Sequence, residues 1–209
     1  VEDSRMPGFT ETGKLRLLIM ALGVGISLLH IYFNIITLLP TLWQNALHYA
    51  GFALLCVLIY PTSKAKREAG KLHWTFILDI AIGVAAAASA IYLVAMEDAI
   101  YARGVRMTDA EWVAGFILIA SALELTRRTT GWIIPVLIVL ALTYIVYWGQ
   151  FVPGVFNFAG LSLETALFRS IFGDDGIFGN IALISSTFVF MFILFGAFLM
   201  RSGGGDFVI

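Results

Sequence analysis

The chain has 209 residues, of which 60% are hydrophobic and only 13% charged. A soluble domain carries about a quarter charged residues and under half apolar ones, so a water-soluble globule and a disordered chain are both excluded. A lone cysteine, Cys56, excludes a disulfide scaffold. A net charge of −1 supplies no whole-chain attraction for nucleic acid. These values predict an all-α integral membrane protein.

A transmembrane helix needs roughly 20 mostly apolar residues. Six runs approach that length: 15–39, 43–60, 74–96, 112–126, 132–148 and 177–200. The fourth and fifth are short, so their ends are expected to extend into the headgroup layer. Strands of alternating polarity, the mark of a membrane barrel, are absent from the sequence. The first run is too long for a signal-peptide core and no small-residue cleavage site follows it, so it reads as a permanent span.

Lys and Arg set the orientation. With the N-terminus in the cytoplasm, ten basic residues fall on cytoplasmic segments: Arg5, Lys14, Arg16, Lys64, Lys66, Arg67, Lys71, Arg127, Arg128 and Arg201. Three, Arg103, Arg106 and Arg169, fall outside. Trp43, Trp74, Trp112, Trp132 and Trp148 all lie at ends of apolar runs, where an amphipathic ring anchors a helix at the interface.

The connections follow in order. Leu39-Pro40-Thr41 reads as a tight external turn joining antiparallel helices. Pro61 stops the second helix, and 64–71 is a basic cytoplasmic loop that orients the chain rather than selecting a lipid. The mixed-charge loop 97–111 is external. The long external stretch 149–176 contains a short amphipathic helix at 162–172, capped by Ser162. Its Leu163, Leu167, Phe168, Ile171 and Phe172 are expected in the membrane interface. The chain starts at Val1, and its last residues, Phe207-Val208-Ile209, open a new apolar run after glycines 203–205. This predicts a fragment of a longer polypeptide.

Ionisable groups inside a membrane are the default functional candidates. Asp79 lies about 7–8 Å into the third helix, and Glu124 sits at a similar level in the fourth, with Arg127 and Arg128 at i+3 and i+4. A proton or cation relay is one reading. Structural ion pairs that fix helix register are the favoured one. His30 and His48 suggest a haem or metal site, but counting from the helix ends offsets them by roughly 6 Å. A polar helix contact through His30, Asn34 or His48 is therefore expected. Ser185, Ser186 and Thr187 either line a polar path or allow close packing, and Ala85–Ala88 with Ser89 and Ala90 form a packing face. No metal-ligand cluster, phosphate loop or nucleophile–base spacing is legible, so the sequence shows no catalytic site.

Two stretches carry more specific information. One is Glu124-x-x-Arg127-Arg128-x-x-Gly131-Trp132. The other runs from Gly176-Ile177-Phe178-Gly179 through Ser185–Leu199 to Ser202-Gly203-Gly204-Gly205-Asp206-Phe207. Both resemble the fused permeases of tripartite ATP-independent periplasmic (TRAP) transporters of the TAXI type. The resemblance implies that residues 1–128 are a four-helix, small-subunit-like scaffold and that 129–209 begin the large-subunit-like transport domain. It also implies a bacterial inner-membrane location and uptake of an organic carboxylate delivered by a periplasmic solute-binding protein. Sodium is the coupling ion it implies, and the substrate and sodium sites are expected beyond residue 209. Loops 97–111 and 149–176 would face the binding protein, with Arg103, Arg106, Asp174 and Asp175 as docking candidates. The rival expectation is a permease-derived structural subunit of another membrane complex, without transport activity.

Overall fold

The computed structural model describes residues 13–62, 74–104 and 106–204. Arg5, residues 64–71, His73 and the segment 205–209 lie outside the described residues. The described elements are helical throughout. α1 (Lys14–Ile31) runs on through a π-helical turn, Tyr32–Ile36, and is followed by α2 (Thr41–Ile59), α3 (Trp74–Ala95), the short α4 (Glu97–Ala102) and α5 (Asp109–Thr130). α6 (Ile133–Thr143) ends in a second π turn, Tyr144–Trp148, and two 3-10 turns, Gly149–Phe151 and Gly154–Phe156. α7 (Leu163–Phe172) and α8 (Asn180–Ile184) come next. A third π turn, Ser185–Val189, joins α8 to α9 (Phe190–Arg201).

Among the described residues, five helices are long and apolar enough to cross a membrane: Leu15–Ile36, Thr41–Ile59, Trp74–Ala95, Ile133–Phe151 and Asn180–Arg201. They correspond to five of the six predicted runs. The remaining run, 112–126, is also helical and is longer than expected, 22 residues. It gains that length through Asp109, Glu111, Arg127 and Arg128 at its ends, and those charges keep it out of the apolar set.

Small residues set how closely α2 and α3 approach. Ala86 and Ala90 are fully buried, and a Cβ on Gly83 would lie 2.7 Å from Val57 Cγ2. Close backbone approach replaces the hydrophobic driving force that lipid does not supply between helices. One apolar core joins Ile19, Ala53, Val57, Leu58, Ala86 and Leu125 of α1, α2, α3 and α5. A second joins Ala46, Leu93, Ile100 and Leu118 to Leu167, Ile171 and Phe172 of α7 and to Phe178. That second core is continuous across residue 128.

The placement of α7 corrects the expectation of an interfacial helix. Ser162 does cap it, accepting the Thr165 N–H at 3.2 Å. Its apolar face, however, packs inside the protein: Leu167, Ile171 and Phe172 are buried, and Leu167 and Ile171 close over Gly115 of α5. Only Leu163 remains substantially exposed on that face. The α4–α5 connection holds α7 in place through Met107 N–H, which donates to Glu164 at 2.9 Å.

Candidate functional site

Two polar centres interrupt the apolar bundle near opposite ends of α2. The first lies where α1 and α2 meet the third π turn. His30 is fully buried, and its Nδ1 is 2.8 Å from the Ile26 carbonyl one turn back. Its Nε2 is 2.8 Å from Nδ1 of His48, whose Nε2 is 3.1 Å from Ser185 Oγ. The Ile26 carbonyl can only accept, so His30 Nδ1–H donates to it. His30 Nε2 and His48 Nδ1 share the next hydrogen bond, and His48 Nε2 shares the last with the Ser185 hydroxyl. Phe33 and Phe190 flank His30, the latter stacked at 4.0 Å, and Phe52 packs on His48 at 4.7 Å.

This arrangement corrects the inferred depth offset between the two histidines. α1 with its π turn stops at Ile36, not at 39, and 37–40 is extended chain before α2 begins at Thr41. Counted from those ends, the two rings are nearly level. They join as a polar helix contact, and His30 has both ring nitrogens occupied by protein partners.

Amides extend the same seam. Asn34 Nδ2 donates to the carbonyls of His30 (2.9 Å) and Ser186 (3.0 Å). Gln44 Nε2 donates to Ser186 Oγ at 3.3 Å. Asn45, fully buried, donates to the carbonyls of Phe178 (2.7 Å) and Gly179 (3.1 Å), and its Oδ1 accepts from Ser186 Oγ at 3.3 Å. Buried polar groups carry a large penalty unless paired, and these pair across more than 130 positions of sequence. Sequence reasoning missed Gln44 and Asn45. Two adjacent amides in an otherwise apolar helix were the available signal. Thr187 donates within its own helix, to Leu183 O at 2.6 Å. The two π turns at 32–36 and 185–189 flank this centre, as such turns often do at functional sites.

The second centre lies past the other end of α2. Arg128 and Asp79 are both buried and meet at 2.7 Å. Arg128 also donates to Glu124 at 2.8 Å, to the Tyr60 carbonyl at 3.1 Å and to Thr62 Oγ1 at 2.9 Å. Asp79 accepts the Thr62 backbone N–H and hydroxyl as well. Arg127 clasps Glu124 with two hydrogen bonds, 2.7 and 2.8 Å, and its guanidinium lies 5.2 Å over the Trp132 ring. Gly131 ends α5 at φ +85°, a left-handed conformation open chiefly to glycine, which lets Trp132 fold back toward Arg127. Two arginines and two carboxylates leave the cluster with no net charge.

The five tryptophans occupy helix ends. Trp74 and Trp132 are well exposed, Trp43 and Trp112 pack partly into the core, and Trp148 donates its indole N–H to Thr143 Oγ1 at 3.2 Å. Of the charged residues predicted to be external, Arg103 is engaged inside the chain: it clasps Glu111 at the start of α5. Burial opposes the charge on Glu111, but the Thr108 backbone N–H and the Arg103 guanidinium together hold its carboxyl below the usual carboxylate range. Arg106, Asp174 and Asp175 are exposed.

A groove of about 960 Å³ opens between α2, α5, α6 and α8. Its wall is mainly apolar, with His48, Thr126, Thr129, Asp175 and Ser185 among the polar residues that line it. Among the described residues, no three His, Cys, Asp or Glu side chains are grouped to hold a metal ion. Among the described residues, fold and polar centres together define an all-helical bundle with helices long and apolar enough to cross a membrane. Comparisons with known protein families, curated proteins and solved structures found no match to this chain.

Proposed function

We propose that the chain is the N-terminal portion of a secondary-transporter permease of the TRAP type, in a bacterial inner membrane. In this reading six helices cross the bilayer, α5 among them, with the N-terminus cytoplasmic. Residues 1–128 form the membrane-fixed scaffold and 129–209 begin the transport domain. A periplasmic protein delivers an organic carboxylate, and sodium drives its uptake through elements further along the polypeptide. Neither polar centre is a relay: the cluster around Asp79 and Arg128 is neutral and fully paired, and the histidine chain ends at a carbonyl that cannot pass a proton on.

The observation that supports this reading is where the resemblance falls. Glu124, Arg127, Arg128, Gly131 and Trp132 are the residues that tie the end of α5 to α2 and α3 and turn the chain into α6. Ser185 and Ser186 tie the later helix to α1 and α2. The test is binding of the solute-loaded periplasmic protein to vesicles containing the permease. Specific binding that Arg106→Glu with Asp174→Arg weakens several-fold is expected. Binding unchanged by those reversals contradicts the docking surface, and no binding at all contradicts the transporter reading.

A further inference from the structure

The connection between α6 and α7 is folded in an unusual way for an exposed loop. Phe151, Val155 and Phe156 are 77%, 94% and 70% exposed, yet the backbone beneath them is bonded within the protein. The Gly149 carbonyl accepts the N–H groups of Val152 (3.3 Å) and Phe158 (3.1 Å), and the Gly154 carbonyl accepts that of Asn157 (3.0 Å). The Asn157 side chain donates to the carbonyls of Gln150 and Val152, both at 3.0 Å. Tyr144 Oη–H donates to the Phe156 carbonyl, and Leu161 N–H reaches the Ile145 carbonyl freed by the π turn, at 2.9 Å. Gly149 permits the close fold: a Cβ there would lie 2.8 Å from Tyr144 O and 3.2 Å from Phe158 Cβ.

A loop in water leaves such carbonyls to solvent and turns its apolar side chains inward. In this one the carbonyls of Gly149, Gln150, Val152, Gly154 and Phe156 are bonded within the chain while the large apolar side chains face outward. Internal satisfaction of the backbone with apolar groups outward is what a water-free surrounding demands. Two observations point to lipid rather than to a protein partner. The exposed face is continuous with that of α6, where Pro135 alone is buried. No charged residue or histidine occurs between Arg128 and Glu164, so the segment itself supplies none of the charges that rim a protein interface. Even Trp148 spends its N–H inside the protein, on Thr143, and not on a headgroup.

We propose that residues 149–158 form an apolar cap inserted among the lipid acyl chains of the leaflet in which α6 ends. The cap anchors the α6–α7 corner at a depth below the headgroups. The inference holds for any integral membrane role of the chain and does not rest on transport.

The experiment places a nitroxide label at Val155→Cys, and separately at Phe156→Cys, in the Cys56→Ser full-length protein reconstituted in phosphatidylcholine–phosphatidylglycerol vesicles. Both side chains point away from the fold, so either label leaves it intact. Collision with oxygen, which concentrates in hydrocarbon, is compared with collision with a water-soluble nickel chelate. Leu137→Cys serves as the lipid reference and Asp174→Cys as the aqueous one. Labels at 155 and 156 should behave as at 137, with oxygen favoured several-fold. Chelate access like that at 174 overturns the proposal, because the cap is then in water. Low access to both overturns it equally, because protein then covers the cap.

Discussion

His30 and His48 share an Nε2–Nδ1 hydrogen bond of 2.8 Å between neighbouring helices, and the other ring nitrogen of His30 donates to a carbonyl one turn before it. Ser185 completes the chain from a helix more than 130 residues further on. The first two helices and the last described one are therefore held by a continuous polar seam.

Removing one link leaves the other partners unpaired in an apolar setting. His48→Leu and His30→Phe should each destabilise the protein by about 1–3 kcal/mol. The double variant should lose less than the sum, because the second removal leaves fewer orphans. Denaturant unfolding in mild detergent reads this; strict additivity would show that the rings are not coupled.

Breaking a buried ion pair by removing one partner costs about 3–5 kcal/mol. Arg128→Ala and Asp79→Ala should each fall in that range. Arg128→Lys should not rescue, since an ammonium cannot serve Asp79, Glu124, Tyr60 O and Thr62 from one position. Thermal unfolding of the three variants distinguishes this from a general need for positive charge, which Lys would satisfy.

Glu111 gives a pH dependence with a definite sign. Its folded-state carboxyl lies below its ordinary value, so the ionised form favours folding. That contribution is fully present above the unfolded value of about 4.3 and is lost as pH falls through the lower folded value. The stability difference between wild type and Glu111→Gln should therefore be constant near neutrality and shrink on acidification below that point. A difference that grows on acidification contradicts the assignment.

The α2–α3 seam should resist enlargement. Ala86 is fully buried in the core it shares with Ala53 and Val57 of α2, and Ala86→Leu should cost about 1–3 kcal/mol through overpacking. Leucine at Val84, which is exposed on the same helix, should change stability little. Equal effects at both positions would show that α3 is not packed on that face.

Much of the helical layout was legible because long apolar runs and terminal tryptophans are local signals. Glu124 with Arg127 and Arg128 was readable for the same reason, as one-turn spacing on one helix. The histidine pair was misjudged because a π turn and an extended 37–40 shifted the helix end from which depth was counted. The setting of α7 was misread because an amphipathic pattern marks an apolar face without saying whether lipid or protein meets it. Asn45 with Phe178 and Gln44 with Ser186 escaped notice because their partners lie so far along the chain.

The most direct test of the transporter account is uptake by vesicles containing the polypeptide as its gene encodes it, supplied with its periplasmic binding protein and a set of isotopically labelled carboxylates. The account predicts that one solute accumulates only when the binding protein and an inward sodium gradient are both present. No accumulation with both present, while the binding protein holds its solute, would contradict it and favour a structural role.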